Sequence, residues 1–175
     1  MSTPPPLFQQ VLQTPLFATL SEDEAAVLFG ISDRRSITRG ATLFEEGDPG
    51  DSLFILLEGE VDVLKKDPSG KQRKLARLSR GASIGEMSLL NDAVRSASVH
   101  AVTDLSLLRI PCGRFHRLLA EDNVPALKVV HNLAQVLVKR LAIMGDRVTE
   151  LLDGNGLKRK EELASFQQLL SDWQF

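Results

Sequence analysis

Gly85-Glu86-Met87-Ser88-Leu89-Leu90-Asn91-Asp92-Ala93-Val94-Arg95-Ser96-Ala97-Ser98-Val99 is the stretch on which the reading of this chain turns. It opens with a residue that has no Cβ, so another group can come close to the backbone there. The residues after it can form a short helical turn whose first amides lack intrahelical acceptors and point outward. Amides arranged in this way, helped by the aligned peptide dipoles, attract an anion with acceptor oxygens such as a phosphate. Further on stands Arg95, a permanently charged guanidinium. Glu86 beside an anion site should repel the anion. The two charges are reconciled if the bound molecule has two chemically opposite ends, one giving a hydroxyl to the Glu86 carboxylate and one carrying the negative charge that Arg95 neutralises.

Around this stretch, from Ser36 to Ile110, short β-type runs are separated by glycines at 40, 47, 50, 59, 70, 81 and 85. That spacing predicts a compact antiparallel roll or jelly roll. The clearest strand is Glu60-Val61-Asp62-Val63-Leu64, with Val61 and Val63 on one side and Glu60 and Asp62 on the other. Lys74 to Leu78 is its expected hairpin partner, and Asp67-Pro68-Ser69-Gly70 has the composition of the turn between them. Leu105 to Ile110 reads as a last strand, ended by Pro111. Ahead of the roll, Leu7, Val11 and Leu12 suggest a short helix. Ser21 followed by Glu24 is a capping box that opens a second helix through Phe29, with Leu20 placed as its staple.

After the roll the period becomes helical. Val130, Leu133, Leu137, Leu141, Met144, Val148 and Leu151 alternate steps of three and four, the seam of a two-stranded coiled coil, and a homodimer through Asn123–Leu152 is expected. The same face could instead pack on its own β-domain. Asp153-Gly154-Asn155-Gly156 ends that helix, and Leu163, Phe166, Leu169, Leu170 and Trp173 mark a last amphipathic segment. The fold class is α+β: a disordered tail over 1–6, a β-roll with flanking helices over 7–122, a long helix over 123–152 and a C-terminal amphipathic helix over 157–175.

At 175 residues with 43% hydrophobic content, the chain can bury one core plus appended helices. A formal net charge of -2 supplies no global field for DNA or an anionic membrane, so no direct DNA binding is expected. Cys112 stands alone, and His100, His116 and His131 are scattered, so neither a disulfide nor a metal site is expected. No Gly-x-Ser-x-Gly elbow or Ser/His/Asp order supports nucleophilic catalysis, and the reading is not an enzyme. Met1 to Pro6 does not resemble a secretory signal, and no stretch approaches the roughly 20 apolar residues of a membrane span. A cytoplasmic protein without membrane insertion is expected.

The Gly85–Val99 segment resembles the phosphate-binding cassette of the cyclic nucleotide-binding domain family, of the catabolite activator, kinase regulatory subunit and cyclic-nucleotide-gated channel type. The resemblance extends over roughly residues 7 to 150. Pro15-Leu16-Phe17, Leu20-Ser21, Gly47-Asp48, Ser52 to Leu56 and Gly59-Glu60-Val61 look like the family's entry helix and first strands in order, and Phe115 with Leu118-Leu119 like its B helix. The resemblance implies that Glu86 binds a ribose 2′-hydroxyl and that Arg95 pairs with an exocyclic phosphate oxygen. It further implies that backbone amides near Gly85, Met87 and Ser88 complete the phosphate cradle with the Ser96 hydroxyl and Ala97 beside it. Val63 and Leu75 match positions lining the purine pocket. The ligand so implied is cAMP or cGMP, with no separate cofactor, and Ser96 in place of a threonine favours cAMP.

Two departures from the family pattern stand out. Val94 replaces the proline common before the arginine, and Met144-Gly145 falls where catabolite activator protein has a base-contacting threonine-serine pair. Met144 is thus the candidate for the base contact, without a hydrogen-bonding side chain. The implied function is a sensor that passes ligand binding to a protein partner through its C-terminal helices, as a stand-alone member lacking a DNA-binding domain. The alternatives are a ligand-independent dimerisation module with a retained fold and a fragment of a transcription regulator.

Overall fold

The computed structural model describes residues 7–90 and 94–153. Leu7–Leu12 forms α1, and a 3₁₀ turn at Pro15–Phe17 leads to α2, Glu22–Gly30. The Ser21 hydroxyl accepts from the Glu24 amide at 3.3 Å while the Glu24 carboxylate accepts from the Ser21 amide at 2.9 Å, the reciprocal cap expected from these two residues. Eight strands follow: β1 (Asp33–Ile37), β2 (Thr42–Phe44), β3 (Ser52–Glu58), β4 (Glu60–Lys66), β5 (Gln72–Ser79), β6 (Ser83–Ile84), β7 (Ser98–Ala101) and β8 (Leu105–Pro111). Between β6 and β7 lies the short helix α3, Met87–Leu90; α4 (Cys112–Ala120) and α5 (Val124–Asp153) close the described chain.

The strands make two antiparallel four-stranded sheets, ordered β1-β8-β3-β6 and β2-β7-β4-β5. Phe54 and Leu56 of β3 join Val61, Ile84, Val99, Ala101, Leu105 and Leu107 in one apolar cluster contributed by both sheets. The alternate residues Leu53, Ile55 and Leu57 point to the other side of the strand, where β3 meets α1 and α3. Both faces are therefore covered, and β3 is buried everywhere but Glu58. Gly59 makes the reversal into β4 at φ +95°, where an added Cβ would strike the Asp104 carbonyl and lie 2.7 Å from Thr103 Oγ1.

The β4–β5 hairpin differs from strict alternation at one point. Val63 faces Ala76 and Leu64 faces Lys74, so Leu75 is an extra residue in a bulge. Its side chain is 60% exposed instead of sharing the core face. Arg77 donates bidentately to Asp62 at 2.8 and 3.0 Å and Lys74 reaches the same carboxylate at 2.7 Å, which holds that carboxyl well below its ordinary range. β8 also runs one residue further than its sequence suggests. Pro111 stands opposite Ser52 at the strand end, a place where a missing N–H is tolerated.

The Asn123 side chain accepts from the Ala126 amide at 3.2 Å and so caps α5, with Pro125 in the first turn. The chain divides into two compact units, the first ending at Ala134 and the second beginning at Gln135. Within the first, Ala126, Val129 and Leu133 are fully buried. Lys128 grips the Glu24 carboxylate at 2.6 and 2.8 Å and lowers its pKa. The buried Asn132 amide donates to the Leu16 carbonyl at 3.0 Å and to Thr19 Oγ1 at 2.9 Å. Leaving such a carbonyl without a donor would cost about 1–3 kcal/mol, which ties the start of α5 to the N-terminal helices. Leu133, part of the expected coiled-coil seam, is thus used inside the chain. In the second unit α5 exposes Val138, Leu141, Ile143 and Met144. No helix of the described residues is long and apolar enough to cross a membrane. The expected tail over 1–6 and the C-terminal segment over 157–175, with Trp173, lie outside the described residues.

Candidate functional site

Arg95 is fixed before its side chain does anything. Its amide donates to the Asp48 carbonyl at 2.8 Å and its carbonyl accepts from the Gly47 amide at 2.9 Å, locking the main chain onto the β2–β3 turn. The arm that follows is stapled to the same turn. The Ser98 hydroxyl donates to Glu45 at 2.6 Å and accepts from the Glu46 amide at 2.9 Å, while Lys65 donates to the Ser96 carbonyl at 2.6 Å and to Glu46 at 3.0 Å. Hydrogen bonds from Ser98 to Glu45 and from the Lys66 amide to Glu46 keep both carboxyls below their usual pKa.

From that anchor the guanidinium runs inward and is 3% exposed. Its carbon sits 4.2 Å above the centre of the Phe44 ring and 5.8 Å from that of Phe54. Its polar contacts are long: Nη1 to Ser88 Oγ at 3.3 Å and to the Gly85 carbonyl at 3.5 Å, and Nη2 to the Asp51 carboxylate at 3.6 Å. Good N–H···O bonds lie between about 2.7 and 3.2 Å. Nε has no hydrogen-bond partner among the described residues. Burial pushes the Arg95 pKa down, opposed by Asp51, though arginine stays charged at neutral pH. The result is a desolvated cation whose donors are incompletely satisfied among the described residues, an arrangement that favours an additional anionic acceptor.

Gly85 adopts φ +76°, and a Cβ there would occupy the space of Arg95 Nη1. The chain then turns into α3, where the Ser88 amide donates to the Gly85 carbonyl at 3.2 Å and the Leu89 amide to the Glu86 carbonyl at 3.1 Å. Ser88 is therefore turned inward, its amide closing the turn and its hydroxyl accepting from Arg95. Glu86 is 8% exposed, and Met87 is exposed. Gly85, Ser88 and Arg95 meet directly. Ser96 is exposed and Ala97 half-buried on the arm beyond Arg95, and the arm leads into β7, whose Val99 pairs with Val63 of β4. Leu75 lies in its bulge on the neighbouring strand. Met144 belongs to the second unit and is 63% exposed on α5.

A family model described as the cyclic nucleotide-binding domain matches residues 34–122, half of the chain and all of β1 to α4 except its first residue. The chain belongs to the cyclic nucleotide-binding domain family. Among curated relatives it is 36% identical over 132 residues to the cyclic AMP receptor protein of Thermus thermophilus, covering 73% of this chain and 57% of the relative. It is 38% identical over 107 residues to the cAMP-dependent protein kinase regulatory subunit of Colletotrichum orbiculare, covering 61% of this chain and 27% of that one. The chain thus spans well under two thirds of either relative. A crystal structure of a cyclic nucleotide-binding domain from Methylobacillus flagellatus superposes with a TM-score of 0.76 at 30% identity, covering 86% of each chain.

Three residues of this cyclic nucleotide-binding domain escaped the sequence reading. Asp51 faces Arg95 and also takes Arg109 at 3.1 Å, and Phe44 and Phe54 flank the guanidinium. The repeated Gly-Asp of Gly47-Asp48 and Gly50-Asp51 was the available signal for the first. For the rings there was none, because Phe44 and Phe54 read as ordinary strand residues until the arm of Arg95 is laid across them.

Proposed function

We propose that this protein is a sensor for a 3′,5′-cyclic purine nucleotide, cAMP in preference to cGMP. The observation that carries the reading is the buried Arg95 guanidinium, with long contacts and an Nε that has no partner among the described residues, beside the open backbone of Gly85. In this reading the cyclic phosphate takes the Arg95 donors and the amides near Gly85 and Met87. Ser88 acts by holding Arg95, Ser96 offers a hydroxyl beside Ala97, Glu86 accepts from the ribose 2′-hydroxyl, and Val63 and Leu75 meet the purine. The exposure of Leu75 fits a residue awaiting an apolar ligand face. The names of the two curated relatives favour cAMP.

The protein so described is a regulatory module, not a catalyst, and acts in the cytoplasm without binding DNA itself. Ligand binding matters only if it favours one of two states of the chain, and α5 is the element through which a protein partner would read that state. It also carries the homodimer contact. Because Leu133 is buried within the chain, the seam offered to a second copy starts at Leu137 and continues through Leu141, Met144 and Val148. Sedimentation equilibrium should give twice the chain mass, with Leu141→Lys plus Met144→Lys giving the monomer; a monomeric wild type overturns this part.

The nucleotide reading is tested by calorimetry with cAMP, cGMP and 2′-deoxy-cAMP. Wild type should bind cAMP best and the deoxy analogue about 10-fold or more weakly, since a buried carboxylate loses its donor. Glu86→Gln should bind cAMP more weakly and discriminate less between the two. Equal binding of cAMP and 2′-deoxy-cAMP by the wild type would remove the role given to Glu86.

A further inference from the structure

In a helix as short as α3 the C-terminal carbonyls have no intrahelical donors and must find partners elsewhere. Two of them find side chains one turn apart on α4. Cys112 Sγ donates to the Ser88 carbonyl at 3.3 Å, and His116 Nε2 meets the Leu89 carbonyl at 2.8 Å. A carbonyl only accepts, so His116 carries its proton on Nε2 in this contact. The spacing of 112 and 116 puts both donors on one face of α4.

Cys112 is also joined to the other side of the guanidinium. Its amide donates to the Asp51 carbonyl at 2.8 Å, and the Asp51 carboxylate faces Arg95 at 3.6 Å and Arg109 at 3.1 Å. Arg109 is in turn held by Ser52 at 2.7 Å. The first residue of α4 therefore reaches Arg95 by two routes, through Ser88 and through Asp51.

We propose that Cys112 and His116 are positioning residues of the anion site: a pair of donors on α4 that clamps the Ser88 and Leu89 carbonyls and fixes the Ser88 hydroxyl against Arg95. This rests on the proposed nucleotide site but concerns two residues that touch no ligand. The clamp explains why a polar pair sits on a helix face otherwise anchored by the fully buried Phe115.

The test uses the full chain and matched variants that keep or lose the donor. Cys112→Val and His116→Leu remove it; Cys112→Ser and His116→Gln retain one. Without nucleotide, the Ser88 and Leu89 amides should exchange about 3- to 10-fold faster in the first pair than in wild type and near the wild-type rate in the second. With cAMP, the first pair should bind about 3- to 10-fold more weakly and the second within about twofold. In a Ser88→Ala background, Cys112→Val should add little further loss, because both act on one contact. Identical behaviour of the donor-keeping and donor-losing variants, or full additivity with Ser88→Ala, overturns the clamp. Should wild type bind no cyclic nucleotide, the sensor reading fails and the exchange rates alone decide between a clamp and an incidental contact.

Discussion

Arg95→Ala should lose about 2–5 kcal/mol of cAMP affinity, roughly 30- to several-thousand-fold, in a calorimetric titration against wild type. The size follows from what the unliganded protein already bears. A buried guanidinium with contacts of 3.3 to 3.6 Å has been taken from water without full compensation. A phosphate oxygen supplies the missing charge-assisted bonds, so that cost, already met in the fold, returns as ligand affinity. Arg95→Lys should restore little, because one ammonium cannot serve the fork presented between Ser88, Gly85 and Asp51. In thermal denaturation the wild-type melting temperature should rise with cAMP concentration, and that of Arg95→Ala should not. Binding by Arg95→Ala within about threefold of wild type would leave the proposed site without its central charge.

The Arg95 side chain also shows where sequence reading succeeds and where it stops. The cap at Ser21 and the β4–β5 hairpin are local patterns, each decided by residues close in sequence, and each was legible. The register of Leu75 was not. A hairpin can be read from its turn and its two apolar runs, but the bulge that sets Leu75 out of register is decided by how two strands twist together. Asn132 was equally silent, since a polar residue beside a heptad seam reads as a solvated flank until the N-terminal helices bring the Leu16 carbonyl to it. The same packing takes Leu133 out of the coiled-coil seam. Periodicity tells that a helix has an apolar face and cannot tell which neighbour covers it. The surroundings of Arg95 join segments around 44, 51, 54, 85, 88 and 95, and such a meeting is a property of topology.

Gly85→Ala is the second change with a large expected effect, and it acts on the same guanidinium from the other side. At φ +76° any L side chain is strained, and this one would also enter the space of Arg95 Nη1 while approaching Arg95 Cζ to 3.2 Å and the Ser52 carbonyl to 3.3 Å. A long side chain can usually swing aside. Here it cannot do so cheaply, because the Phe44 ring lies 4.2 Å from its carbon and its main chain is pinned at both ends of the residue to Gly47 and Asp48. The variant should lose about 1–3 kcal/mol of stability and at least about 30-fold in cAMP affinity. In an Arg95→Ala background the part of the loss due to the Arg95 collision should vanish, leaving the backbone strain and the tight approach to the Ser52 carbonyl. Gly59→Ala is the matched control, strained at φ +95° against the Asp104 carbonyl but remote in its contacts from Arg95. It should lower the melting temperature and leave the affinity of the folded protein unchanged. If Gly85→Ala binds cAMP as wild type does while Gly59→Ala behaves as expected, the backbone at 85 has no part in seating the ligand and the anion must lie elsewhere along the arm.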